Sequence, residues 1–122
     1  MNLVTQSTKN RIEVVSWSAP TVAENLAIDE SLAASVSKDQ RRTLRFWRGG
    51  PVTAVLGCAE KPETALNLDE CNRLGIDIVK RVTGGGAVLQ SPGVFNYSYT
   101  APDGGILDIH KMFQKGAELV IS

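Results

Sequence analysis

From Lys80 to Val88 the sequence runs Lys-Arg-Val-Thr-Gly-Gly-Gly-Ala-Val, two adjacent cations leading into three consecutive glycines. Three glycines remove every side chain from a turn, open the region of positive φ and let a ligand come close to backbone N–H groups. On a regular strand Lys80 and Arg81 point to opposite faces, so one faces the ligand and the other faces solvent or a carboxylate. A cation beside bare backbone can hold an anion, and phosphate and carboxylate are both candidates. On the residues alone, a glycine-rich β-bulge between strands is the alternative. The stretch is neither of two common nucleotide loops. A dinucleotide fingerprint needs G-x-G-x-x-G opening a helix, whereas Ala87-Val88-Leu89 continues as a strand, and the chain has no Gly-Lys-Ser/Thr tripeptide for a P-loop.

Other chemistry-bearing residues carry less. Asp29 and Glu30 are adjacent on a predicted helix and do not face each other, which assigns them structural or solvated roles rather than a metal pair. His110, the single histidine, has no ligand partner in sequence and is expected at the surface. Arg41, Arg42, Arg45 and Arg48 form a basic cluster that reads as a solvated face, with docking of an acidic partner domain as the lesser alternative. Cys58 and Cys71 are too few for a disulfide framework and lack zinc-site spacing, so both are expected as reduced thiols packed like small apolar residues. No metal site is expected.

These residues need elements to hold them. Residues 1–10 are polar and expected to be loose, and Ile12, Val14, Val15 and Trp17 then make a first strand ended by Ser18-Ala19-Pro20. Thr21 and Glu24 have capping-box spacing, so a helix starts there, its stripe of Val22, Leu26, Ala33 and Val36 broken by Asp29 and Glu30. Ser37–Thr43 is polar and reads as a loop. Leu44–Trp47 and Val52–Leu56 are two strands, with Arg48-Gly49-Gly50-Pro51 as a hairpin signal. Asn67, Glu70 and Gly75 punctuate a short helix within Ala65–Gly75, followed by strand Ile76–Val79. Ala87–Leu89 and Phe95–Tyr99 are strands around a turn at Ser91-Pro92-Gly93, with Phe95, Tyr97 and Tyr99 on one face as core or pocket wall. Trp17 and Trp47 are expected in the core. Asp108 can cap a last helix whose apolar segment meets no stop signal and no receiving strand, so the chain is expected to be the first part of a longer α+β unit.

Composition narrows the classes. A chain of 122 residues with 43% hydrophobic and 21% charged residues is globular in composition, and at this size about two-thirds of the unfolded surface can be buried. Thirteen Lys and Arg balance thirteen Asp and Glu, which argues against a nucleic-acid partner. The first residues lack the apolar region of a secretory signal, and the longest apolar run, Val52–Ala59, is far too short to cross a bilayer. A cytoplasmic location without membrane contact is the expectation.

Taken in order, Asn25-Leu26-Ala27-Ile28-Asp29-Glu30, Leu44-Arg45-Phe46-Trp47, the run from Leu74 to Val88 and Gly93-Val94-Phe95-Asn96-Tyr97-Ser98 resemble the lipoate-protein ligase and octanoyltransferase family over residues 20–105. Paired cations before a triple glycine, then Gly and Asn-x-Ser on the next strand, are far more specific than glycines alone. The resemblance implies a catalytic domain like that of biotin and lipoate ligases, α+β with a mixed, mostly antiparallel sheet and packed helices. Residues 11–122 would be its N-terminal part, after a flexible stretch at 1–10.

In the ligase branch, the resemblance implies, lipoate or octanoate reacts with Mg-ATP to give the acyl-adenylate. The acyl group then passes to a lysine of an acceptor lipoyl domain or of the H-type protein of glycine cleavage. Carried over by position, Arg81 would face the adenylate or acyl carbonyl, and Thr83, Gly84, Gly85, Gly86 and Ala87 would line the acyl and phosphate slot. Gln90, Gly93, Asn96 and Ser98 would support it from the neighbouring strands. Lys80 stands where the family commonly has Arg, which keeps charge but loses bidentate geometry. Gln90 stands where His is common. The family's catalytic lysine is expected beyond Ser122, since Lys111 and Lys115 fall on the solvated face of the predicted last helix. An ATP-independent octanoyltransferase working through a cysteine thioester is the second reading, and neither Cys58 nor Cys71 matches that cysteine. A non-catalytic acyl-binding remnant is the third reading, and biotin ligation a weaker fourth.

Overall fold

The computed structural model of the chain describes residues 2–4 and 11–102, together with Gln114 and Glu118, which are helical. The predicted helix capped by Asp108 otherwise lies outside the described residues, as does His110.

Two mixed sheets share the strands. One has the order β1 (Asn2–Val4), β2 (Ile12–Ser16), β3 (Arg42–Arg48) and β7 (Phe95–Thr100); the other has the order β5 (Asp77–Lys80), β4 (Thr53–Leu56) and β6 (Val88–Gln90). Each contains one parallel pair, β2 with β3 and β4 with β5, and the remaining pairs are antiparallel. Parallel neighbours require a crossover. The first is α1 (Val22–Asp39), and the second runs through α2 (Pro62–Ala65) and α3 (Leu68–Leu74).

Local signals place the helices. Thr21 Oγ1 accepts from the Glu24 N–H at 3.2 Å while Glu24 Oε2 accepts from the Thr21 N–H at 3.2 Å, completing the capping box. Asn67 Oδ1 caps α3 through the Glu70 N–H, and Gly75 ends that helix at φ 67°. The loop expected from Ser37 is instead the last turn of α1, which runs to Asp39 and stops at Gln40 in the left-handed region, φ 53°. Lys38 in that turn suits the negative end of the helix dipole.

Non-local pairing decides what local signals do not. β3 and β4 form no hairpin across Gly49-Gly50, because β3 is flanked by β2 and β7 and has no free edge, while β4 is flanked by β5 and β6. The two glycines instead thread the chain from one sheet to the other. A Cβ on Gly49 would stand 2.3 Å from the Ser91 carbonyl oxygen, and one on Gly50 2.6 Å from the Pro20 carbonyl oxygen. The predicted strands around Ser91-Pro92-Gly93 likewise belong to different sheets. Asn2–Val4, expected to be loose, is an edge strand antiparallel to β2.

The seam between layers is apolar: Val22 of α1, Trp47 of β3 and Val55 of β4 pack together, with Leu26 and Val79 against them. Trp47 is buried as expected, but Trp17 lies just past the end of β2 and is 54% exposed. Arg45 is 1% exposed and so leaves the predicted solvated cluster. Strand alternation turns it inward with Thr43 and Trp47, while Arg48 stays exposed. Cys71 is buried as expected for a small apolar residue, whereas Cys58, just after β4, is exposed.

Candidate functional site

A cavity of about 430 Å³ opens between α1, the two sheets and the segment after β5, within the size range of small-molecule sites. Leu26, Ala33, Val55, Val82 and Val88 supply apolar lining, and Asp29, Glu30, Arg81, Thr83, Gln90, Asn96 and Ser98 supply its polar groups. Gln90 and Asn96 exchange amide hydrogen bonds: Gln90 Nε2 donates to Asn96 Oδ1 at 2.9 Å, and Asn96 Nδ2 donates to Gln90 Oε1 at 3.0 Å. Each amide thereby commits one N–H and keeps a second for a ligand oxygen.

Arg81, Val82 and Thr83 line the cavity, whereas Gly84, Gly85 and Gly86, expected to line the slot, are not among its lining residues. Arg81 extends the β4–β5 ladder through its N–H to the Leu56 carbonyl at 3.0 Å, then folds its side chain onto the loop. Its Nη2 donates to the carbonyls of Gly84 at 2.8 Å and Gly86 at 2.9 Å. Gly85 has φ 103°, a conformation that favours glycine, and its carbonyl closes on Gly57, where a Cβ would stand 2.1 Å away. Thr83 is tied back by its carbonyl to the Cys58 N–H at 2.9 Å.

The opposite wall contains a polar network whose inner part, Arg45 and Asn25, is buried. Asp29 Oδ1 accepts from Ser98 Oγ at 2.7 Å and Arg45 Nη1 at 2.9 Å, and Oδ2 accepts from Trp47 Nε1 at 3.0 Å. Arg45 also donates to the Asn25 carbonyl, Asn25 Oδ1 and the Trp17 carbonyl. Asn25, fully buried, accepts from the Ala19 N–H at 2.8 Å and so fixes the chain entering α1. The cavity thus combines an apolar wall, a cation at its mouth and amide donors beside it. Such an arrangement can hold a carboxylate or acyl group with a hydrocarbon tail and offset charge on its oxygen.

Residues 21–122 match the lipoyl protein ligase A/B catalytic domain. The chain belongs to this family. It is 40% identical over 68 residues to octanoyltransferase LipM of Clostridioides difficile, covering 55% of this chain and 25% of that protein. A bipartite lipoate protein ligase from Thermoplasma acidophilum, solved with its E2 lipoyl domain, superposes with a TM-score of 0.76 at 29% identity, over 88% of this chain and 42% of that one. A lipoate-protein ligase A bound with ATP superposes with a TM-score of 0.73, also at 29% identity, over 83% of this chain and 40% of that one. The chain therefore spans well under half the length of these relatives, and its mixed sheets and packed helices have the ligase-domain architecture that the resemblance implied.

Of the family residues carried over by position, Arg81, Thr83, Gln90, Asn96 and Ser98 meet at the cavity. Lys80 ends β5 with its side chain exposed, Gly84 and Gly86 turn carbonyls to Arg81, Ala87 is exposed beside them, and Gly93 sits in the turn before β7. Tyr97 lines the cavity, while Phe95 is 60% exposed and stacks on Phe46 at 5.5 Å rather than entering a core. Asp29 and Trp47 at the cavity wall are the residues sequence reasoning passed over as a site. The available signal was an acid breaking an apolar helical stripe, four residues after a second polar residue, Asn25, on the same helix face. Among the described residues no group of three His, Cys, Asp or Glu side chains is placed to hold a metal ion, and no helix is long and apolar enough to cross a membrane.

Proposed function

We propose that this chain carries the acyl-binding part of an enzyme that attaches a medium-chain acyl group, lipoyl or octanoyl, to a lysine of a lipoyl domain or of the similar H protein of glycine cleavage. The observation that carries the reading is that one cavity is lined both by apolar side chains, Leu26, Val55, Val82 and Val88, and by polar ones that include Arg81, Gln90, Asn96 and Ser98. A fatty carboxylate likewise combines an apolar tail with a polar head. In the ligase route, lipoate and Mg-ATP give lipoyl-adenylate and pyrophosphate, and the acceptor lysine amine then displaces AMP at the acyl carbonyl. Arg81 would offset charge on the acyl or phosphate oxygens, the second N–H groups of Gln90 and Asn96 would donate to them, and Gly84–Gly86 would give the phosphates room. Kinship with a ligase solved with ATP supports this route.

Kinship with octanoyltransferase LipM favours a second route, in which the octanoyl group comes from a carrier thioester and no nucleotide is consumed. One assay separates the two. The full-length protein is given a lipoyl domain with either lipoate and Mg-ATP or an octanoyl carrier thioester alone, and acceptor mass and pyrophosphate are followed. Lipoate-dependent pyrophosphate release with a matching acceptor mass gain is the expected result. Octanoyl transfer without ATP would establish the second route, and acceptor left unmodified under both conditions would overturn acyl transfer.

A further inference from the structure

Asp29 is an acid in the wall of a cavity that, on the reading above, receives an anion. Its side chain retains 20% of its exposure, and Ser98, which it holds, is also part of the wall. An uncompensated carboxylate there would repel a ligand carboxylate through a medium of lowered dielectric. Arg45 stands directly behind it. The Arg45 guanidinium is bonded to Asp29 at 2.9 Å, is 1% exposed and does not line the cavity, so it acts on a ligand without touching it, through its charge beside Asp29.

We infer that Arg45 is a positioning residue for acyl-anion binding: it neutralises Asp29 and so lowers the negative charge that the two acids of the wall, Asp29 and Glu30, present to an incoming carboxylate. This inference rests on the cavity being the acyl site. Stability alone is a poor explanation for the pair, because a buried ion pair can often be replaced by apolar residues of similar volume without loss. The pair also sets hydrogen-bond polarity at the wall. Ser98 spends its one hydroxyl hydrogen on Asp29, and therefore offers the cavity lone pairs only.

The test compares octanoate with octanamide, two ligands of nearly one shape that differ in charge, by calorimetry on the full chain. Arg45→Met is expected to weaken octanoate relative to octanamide by about ten-fold or more, because Asp29 is left uncompensated. Asp29→Asn leaves one acceptor oxygen for three donors, Ser98, Arg45 and Trp47, a loss both ligands share, so the octanoate-to-octanamide ratio reads the removed charge and is expected to shift the other way, toward octanoate. Arg45→Met with Asp29→Asn is expected to recover most of the lost octanoate preference. If Arg45→Met fails to fold, the two variants lacking the Asp29 charge still read the sign. Equal changes for both ligands, or an Asp29→Asn shift toward octanamide, would overturn the role of Arg45 while leaving the cavity as the acyl site. Wild-type protein that binds neither ligand would overturn the acyl-site reading itself, and this inference with it.

Discussion

Two arginines stand near the same cavity in opposite circumstances. Arg45 is sealed beneath α1, with Asp29 as a counter-charge and Asn25 and the Trp17 carbonyl taking its remaining terminal N–H groups. Arg81 is at the mouth, bonded among the described residues to loop carbonyls alone. Carbonyls satisfy a guanidinium's hydrogen bonds but leave its charge unbalanced, whereas a carboxylate does both. The difference assigns the work. The compensated cation holds the wall together, and on the proposed function the uncompensated one would meet an anion.

The contrast can be broken from either side. Removing the sealed cation has the largest expected effect on stability: Arg45→Ala strips Asp29 of its counter-charge, leaving it only the Ser98 and Trp47 donors, takes one donor from each Asn25 oxygen, and should cost about 3–5 kcal/mol in urea unfolding. A loss under 1 kcal/mol would mean that water replaces the guanidinium and that the network is not sealed. Next is the support of the open cation. Gly57→Ala would place a methyl 2.1 Å from the Gly85 carbonyl oxygen, so the loop must move, at an expected cost of about 1–3 kcal/mol. Octanoate binding should weaken with it; unchanged binding would detach the loop from the site. The smallest stability effect belongs to Arg81 itself. Arg81→Ala should change unfolding by less than about 0.5 kcal/mol, since the side chain ties only surface carbonyls.

What the sequence displayed and what it concealed divide along the same line. The capping box at Thr21 and Glu24, the Asn67 cap and the Gly75 stop are set by neighbours within four residues, and each stands where its residues predict. The Gly49-Gly50 hairpin signal misled because strand partners are chosen across the chain: β3 pairs with β7, some fifty residues on, and that leaves no edge for β4. Arg45 misled for a related reason. A charge among three other arginines reads as solvated, and only the return of α1 over β3 brings Asp29 against it. The Arg81–Gly86 segment stood out because its chemistry is contiguous, whereas Asn96 and Ser98 entered only through the family resemblance; period two sets both on the face of β7 that turns toward Gln90 and Asp29.

The most direct test of the central claim, that Arg81 guards an acyl-anion cavity, is calorimetric titration of octanoate into wild-type and Arg81→Ala proteins of matched unfolding midpoint. Loss of a charge-assisted contact predicts affinity weaker by about 1.5–3 kcal/mol, roughly 10- to 150-fold. Affinity equal to wild type would remove Arg81 from the site and contradict the account.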